Sequence, residues 1–296
     1  MDILKITKKP EIDESIEEYE YHSYEPITGT DLNRPGEIRL SIETQDLFTH
    51  PSESYLVFDG KLVKNADDAA YADADVITLT NNAKMHLFSN IKYQLSGQEI
   101  ESLFHPGQAT TMLGLLKFPD DIQKSVGLNQ LWYKDSGTDA SIAGNNQNNG
   151  FKIRHGYIIQ KLDPKGTFSF RIPLKHIFGF CDDYEKVVYV FKHQLTLVRR
   201  GDNDAIFRSN AADAGNVVLT KLSWYMPHVT PNFQEKLALY KTIESNSSLP
   251  VSYRMVQCES IPLSQTRTFT WQLSAKSTTE KPCWIIVAFQ IDKSGD

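Results

Sequence analysis

Cysteine is scarce: three occur in 296 residues, Cys181, Cys258 and Cys283, without a CxxC spacing. That count excludes a disulfide scaffold. The three read as small buried or half-buried side chains rather than metal ligands or nucleophiles. Basic charge is in deficit too, since 31 Lys and Arg against 37 Asp and Glu leave a net charge of −6. A general nucleic-acid binder or a polybasic membrane anchor would carry the opposite balance. The longest strongly apolar run, Trp284 to Phe289, falls far short of the roughly 18–20 residues of a membrane span. The chain is charged from Asp2 onwards, and no apolar stretch follows a basic start. Secretion through a cleaved signal is therefore not expected, and the sequon Asn246-Ser247-Ser248 reads as chance. These absences predict a chain that is intracellular at synthesis.

Catalytic motifs are missing as well. There is no GxSxG elbow, phosphate-binding GxxxxGK[ST] loop, GxGxxG or HExxH. No two of the eight histidines have the HxH spacing of metal-binding β-barrels. No catalytic residue, cofactor or metal ligand is assigned. His155, beside Arg154, is expected to be a surface or half-satisfied strand histidine. Asp202-Asn203-Asp204 begins like a calcium loop but lacks the glycine and the closing glutamate at the required offsets, so it reads as a solvated hairpin tip. Asp182-Asp183 reads as a turn or cap, and Arg199-Arg200 as a charged strand end.

What is present favours β structure. Hydrophobic residues make up 40% of the chain and aromatics 11%, enough for a real core. Residues 1–34 stand apart, with an acidic run from Glu11 to Glu20 and tyrosines at 19, 21 and 24. They predict either a mobile arm or one that docks on a neighbouring subunit through Tyr19 and Tyr21. From Glu37 the apolar residues alternate, as in Ile38, Leu40 and Ile42. Further strands are predicted at 54–58, at 61–63 after an Asp59-Gly60 turn, and at 76–80. A hairpin follows about Ser96-Gly97. Lys152–Ile159, Thr167–Ile172, Val187–Val198 and Val217–Tyr225 are also read as strands, then Val251–Cys258, Thr266–Leu273 and Pro282–Gln290. Short helices are predicted at 106–117, with Pro106 at its start, and at 230–244, with Thr230 as N-cap and Pro231 at the first position. Pro173–Phe180 reads as a helical turn. The polar stretch 134–150 reads as a long surface loop rooted by Trp132 and Tyr133. Strand after strand without alternating long helices means an antiparallel, all-β architecture.

Several segments together resemble a known family. They are Leu95-Ser96-Gly97-Gln98-Glu99-Ile100-Glu101-Ser102, running on through His105-Pro106-Gly107 to Met112-Leu113-Gly114, and Thr167 to Leu174 followed by Ile177-Phe178-Gly179-Phe180. Thr268 to Leu273 and Pro282 to Gln290 complete the set. In order and spacing they resemble the double jelly-roll major capsid proteins of Polinton (Maverick) elements and adintovirus-like viruses, over residues 35–290.

The resemblance implies a hexon-like structural subunit, two jelly rolls per chain, assembling as trimeric capsomers beside neighbouring capsomers and a penton protein. It implies no enzyme activity and no sequence-specific nucleic-acid contact. The location implied is the virion, or the cytoplasm or nucleus for an unassembled, genome-integrated copy. The expected organisation is an acidic arm over 1–34, a first jelly roll over 35–228, a helical linker over 229–250, and the opening strands of an incomplete second roll over 251–296. By this reading 296 residues are too many for one roll and too few for two, so a truncated copy is expected, with unpaired edges after residue 251. Trp132, Tyr133, Tyr19 and Tyr21 are the candidate subunit-contact or loop-root residues. The alternative is a β-sandwich carbohydrate- or protein-binding module of a host cell, with Trp132 and Tyr133 as sugar-stacking rings.

Overall fold

The apolar alternation resolves into strands that are antiparallel at every pairing described. A computed structural model describes residues 14–27, 30–43, 48–137, 140, 148–160, 164–209, 212–245, 248–263, 268–273 and 282–289. In chain order the elements are β1 (Ile16–Tyr24), β2 (Gly36–Ile42), β3 (Phe48–Thr49), β4 (Tyr55–Lys64), β5 (Ile77–Leu79), α1 (Ala83–His86), β6 (Phe88–Leu95), β7 (Gln98–Phe104) and α2 (Pro106–Lys117). There follow α3 (Asn149–Ile158), β8 (Thr167–Pro173), α4 (Gly179–Asp183), β9 (Val188–Tyr189), β10 (His193–Arg199), β11 (Ile206–Arg208), β12 (Gly215–Pro231) and α5 (Phe233–Glu244). One sheet runs β8-β4-β12-β3-β9, with β1 also laid on β12, and a second runs β2-β10-β6-β7. β5 and β11 form a separate pair.

The two large sheets face each other across one core. Leu56 and Phe58 of β4 and Trp224 and Met226 of β12 share a buried cluster with Leu40, Leu195 and Tyr93 of the other sheet. The ring of Tyr93 meets Trp224 edge-on at 6.2 Å, and Phe58 lies 5.8 Å from Phe88. Removing each such side chain from water contributes about 1.5–3 kcal/mol. The β6–β7 hairpin closes on Ser96 and Gly97, whose φ values of 46° and 85° give the left-handed pair a two-residue turn needs.

Several expectations are corrected. Asp59-Gly60 is not a turn, because β4 runs straight through it. A Cβ on Gly60 would lie 2.6 Å from both the Phe168 ring and the Val218 carbonyl, so glycine marks a close approach of neighbouring strands. Lys152–Ile159 is not a strand but most of α3. Phe151, Arg154, His155 and Ile158 are buried at helical spacing, and the Asn148 side chain accepts from the Phe151 amide. His155 is accordingly buried, with Nε2 2.9 Å from the Asp75 carbonyl oxygen. Val187–Val198 is two strands rather than one. It breaks at Val190, φ 62°, where the chain passes from one sheet to the other. α5 starts later than predicted, capped by Asn232, because Thr230 and Pro231 still belong to β12. Residues 16–24 of the expected mobile arm form β1. Among the described residues of 248–289 no strand occurs, because no neighbouring strand supplies a hydrogen-bonded ladder there.

Among the described residues three Lys or Arg side chains are buried, and two of them are fully engaged. Arg199 donates to the carbonyls of Leu32, Leu87, Arg200 and Val217 and pairs with Asp202. Asp202 also accepts from the Val217 amide at 2.7 Å, so this half-buried carboxylate is a structural tie rather than part of a solvated hairpin tip. Arg199 is likewise no exposed strand end: it joins β10, β12 and the residue before β6. Arg154 donates to the Leu79 and Tyr133 carbonyls and to Asp135. Among the described residues Lys84 finds no carboxylate partner. Its Nζ donates to the Gln130 carbonyl at 2.8 Å, lies 5.7 Å from the centre of the Phe170 ring, and is pushed down to about 7 by burial.

These differences predict opposite outcomes. Arg199→Ala orphans four carbonyls and Asp202, and should lower unfolding stability by about 3–5 kcal/mol in a denaturant titration. Lys84 prefers to be neutral when folded, so its protonation favours the unfolded chain. Wild-type stability should therefore rise as pH increases from about 7 towards the ordinary lysine value of 10.5. Lys84→Met should raise stability at neutral pH and flatten that slope. An unchanged melting profile in Lys84→Met would show that the buried amine carries no penalty.

Candidate functional site

The residues singled out for contact fall into two groups: Trp132 and Tyr133 are buried, whereas Tyr19 and Tyr21 are exposed. Trp132 is 2% exposed. Its ring meets Phe118 edge-on at 5.0 Å and fills the space over Gly114, where a Cβ would come within 2.4 Å of it. Tyr133 is buried as well. Its amide donates to Asn81 Oδ1 at 3.0 Å, its carbonyl accepts from Arg154, and its ring stacks on Tyr157 at 5.9 Å. Burial, reinforced by Tyr157, pushes the Tyr133 phenol up to about 12. Asn148 closes the far end of the same loop, accepting from the Ser136 amide and donating to the Gly137 carbonyl. The residues between lie largely outside the described ones. A sugar platform needs an exposed ring, which Trp132 and Tyr133 do not offer.

Tyr19 and Tyr21 lie on β1, against the chain's own sheet. The Tyr19 hydroxyl lies 3.1 Å from His50 Nδ1. Tyr21 joins a row that crosses four strands. It lies 5.4 Å from Tyr55, Tyr55 stacks on Tyr225 at 4.9 Å, and the Arg171 guanidinium covers the other side of Tyr55 at 3.6 Å. Both faces of Tyr55 are thus occupied within the molecule. A cation over a ring and a cross-strand aromatic pair each stabilise the sheet surface modestly.

The arrangement that sequence reasoning missed is a clamp on residues 253–258. Glu101 of β7 is buried at 2% exposure. Its carboxylate accepts from the amides of Gly179, Phe180 and Val256 at 3.2, 3.1 and 3.1 Å. Burial pushes this carboxyl up, while the three N–H groups oppose that shift. Tyr253 donates to the Ile100 carbonyl at 3.0 Å and meets Phe180 edge-on at 5.2 Å. Arg254 forms a forked pair with Asp183, assigning that acidic residue a partner. Gly179 sits beneath the Arg254 carbonyl, where a Cβ would lie 1.6 Å from the oxygen. Gly179-Phe180 was visible in the sequence as part of a helical turn and of a segment that carries the family resemblance. Its pairing with Glu101 and Arg254 spans 78 and 75 positions respectively, which no local pattern encodes.

Beyond the clamp, the chain exposes apolar side chains. Trp284 is 84% exposed and Phe289 72%, with Ile285 and Val287 also exposed. A contiguous apolar run in water is a contact surface in waiting. Among the described residues, no three His, Cys, Asp or Glu side chains are grouped to hold a metal, and no helix is long and apolar enough to cross a membrane. Cys181 is buried, Cys258 half-buried and Cys283 exposed.

Two facing antiparallel sheets of this kind are a jelly-roll β-sandwich, the class that pairs short strands across a shared core. The chain belongs to the double jelly roll-like domain family, whose match spans residues 77–296. Its fold is similar to that in the Sputnik virophage structure, with a TM-score of 0.54 at 12% identity over 79% of this chain and 52% of that one. It is also similar to the Faustovirus major capsid protein, with a TM-score of 0.50 at 11% identity over 81% of this chain and 58% of that one. The chain thus spans about half the length of the solved structures it matches. Comparison with curated proteins found no match.

Glu101→Ala should release the 253–258 segment without unfolding the sandwich. Each orphaned N–H costs about 1–3 kcal/mol, so hydrogen-exchange protection at Val256 should fall while that of β4 and β10 persists. Undiminished protection at Val256 would show that the carboxylate does not hold the segment.

Proposed function

We propose that this chain is a structural subunit of an icosahedral viral capsid, acting by assembly rather than catalysis. The observation that carries the reading is membership of the double jelly roll-like domain family over residues 77–296. A shell subunit needs lateral surfaces with closed symmetry, not a pocket. The exposed run from Trp284 to Phe289 supports the reading, since burying it against a neighbour would remove a large apolar area from water. In this proposal the chain divides into an arm over 1–34, a first roll over 35–228, a link over 229–250 and the start of a second roll over 251–296. β1 of the arm lies on the first roll, and the link begins within the end of β12. Association is hexon-like, as trimers that tile with neighbouring capsomers and a penton protein. The location is the virion, and the relationship to Polinton, Maverick and adintovirus elements follows from the sequence resemblance. Trp132 and Tyr133 root a loop from beneath, and Tyr19 and Tyr21 flank the surface offered to neighbours.

Size-exclusion chromatography with light scattering on the purified full chain should find trimers or larger assemblies whose population grows with concentration. A strictly monomeric protein at high concentration would overturn the assembly reading.

A further inference from the structure

Four of the protein's eight histidines, His22, His50, His193 and His228, gather where β1 lies along the end of β12. The rings of His22 and His228, one from each strand, stack with centroids 4.1 Å apart and planes 17° from parallel. The Tyr24 hydroxyl lies 2.9 Å from His228 Nε2, and that of Tyr19 lies 3.1 Å from His50 Nδ1. The His50 amide in turn donates to the Pro227 carbonyl of β12. Tyr19, His22 and Tyr24 therefore each reach across from β1 through an imidazole. The rest of β1 is weakly held by packing, since eight of its nine residues are exposed.

We propose that this histidine seam is an acid-operated latch, in which protonation of the stacked His22–His228 pair drives β1 off β12 and opens the β12 edge from Trp224 to Pro231. Two neutral imidazoles stack favourably, whereas two imidazolium rings at this separation repel. The Tyr24 hydroxyl can turn from donor to acceptor, so the loss lies in the ring pair and not in that hydrogen bond.

The charged neighbours bear unequally on the two rings. The Glu20 carboxylate lies 3.7 Å from His22 Nε2. Burial and the neighbouring His22 hold the half-buried His228 below the usual imidazole range. Behind them His193 is pushed down to about 4 by burial and by His228. Thr49 donates to the Val188 carbonyl, so His193 Nε2–H donates to Thr49 and its Nδ1 accepts from Tyr93, fixing a neutral ring. At His50, burial and Lys175 disfavour charge, while Glu53 and Glu185 favour it. The docked strand thus prefers neutral rings at His228, His193 and His50. Its attachment is whole above the ordinary histidine value of 6.5 and weakens as pH falls below it. Once β1 leaves, the unpaired N–H and C=O groups of residues 224–231 form an open sheet edge.

Hydrogen exchange on the full chain, corrected for the intrinsic pH dependence of exchange, tests the latch. Between about pH 7.5 and about pH 5.5, protection of residues 16–24 should fall about tenfold or more, while β4 and β10 keep theirs. His228→Gln and His22→Gln cannot take the proton and should each keep β1 protected at the lower pH. His22 is exposed, so His22→Gln tests the pair even where His228→Gln disturbs the strand. Three results would overturn the proposal: wild-type β1 protection that does not change with pH, loss of protection that is equal in the wild type and His22→Gln, or loss in β4 and β10 together with β1.

Discussion

The ladder along β12 is the constraint on which the rest of the structure depends. Residues 215–225 pair with β4, residues 224–231 with β1, and residues 228–229 with β3. A strand this long must bend to follow a sandwich. It does so at the irregularity between Leu219 and Lys221, opposite the Asp59-Gly60 step of β4. Beyond that bend, Leu222, Trp224 and Met226 enter the core with no measurable exposure. The edge-on meeting of Trp224 and Tyr93 then sets the second sheet against the first.

Backbone pairing alone does not connect the ends of these sheets, and buried polar groups supply the connections. Arg199 gathers carbonyls from four places, Arg154 holds the base of the 134–148 loop, and Glu101 gathers amides from three residues. Each replaces water with several backbone partners at once, the condition under which burial of a charge is tolerated. Lys84 shows the contrast. With one carbonyl for a partner, its ammonium form is penalised, and so is the imidazolium form of His176, whose ring is pushed down to about 4 by burial and then by the Lys84 charge.

The surface follows the same logic in reverse. Tyr225 and Arg171 cover Tyr55, with Tyr21 5.4 Å away, so this part of the sheet surface is largely satisfied within the molecule. Trp284 to Phe289 have no such cover. The chain is fastened by Glu101 as far as Val256, and α5, which buries none of its residues, lies before that clamp. The proposed shell-forming role would use this division between a self-contained sandwich and an uncovered apolar segment.

Sequence patterns of short range were legible. The period of two revealed β2, the Thr167–Ile172 strand reading fell on β8, the Ser96-Gly97 pair announced the β6–β7 hairpin, and Pro106 announced α2 at its observed limits. The all-β class followed, as did the family resemblance. Tertiary structure alone decided the rest. Gly60 reads locally as a turn, and only the approach of Phe168 and Val218 explains it as strand. Residues 151–158 carry a helical burial spacing that β-rich composition concealed. Tyr19 and His22 were visible as an arm, but their contacts with His50 and His228 join residues 31 and 206 positions apart. Local preferences specify which short elements form. Which of them meet, and so which charges are buried and which histidines stack, depends on contacts between residues remote in the chain, whose energies no window of sequence contains.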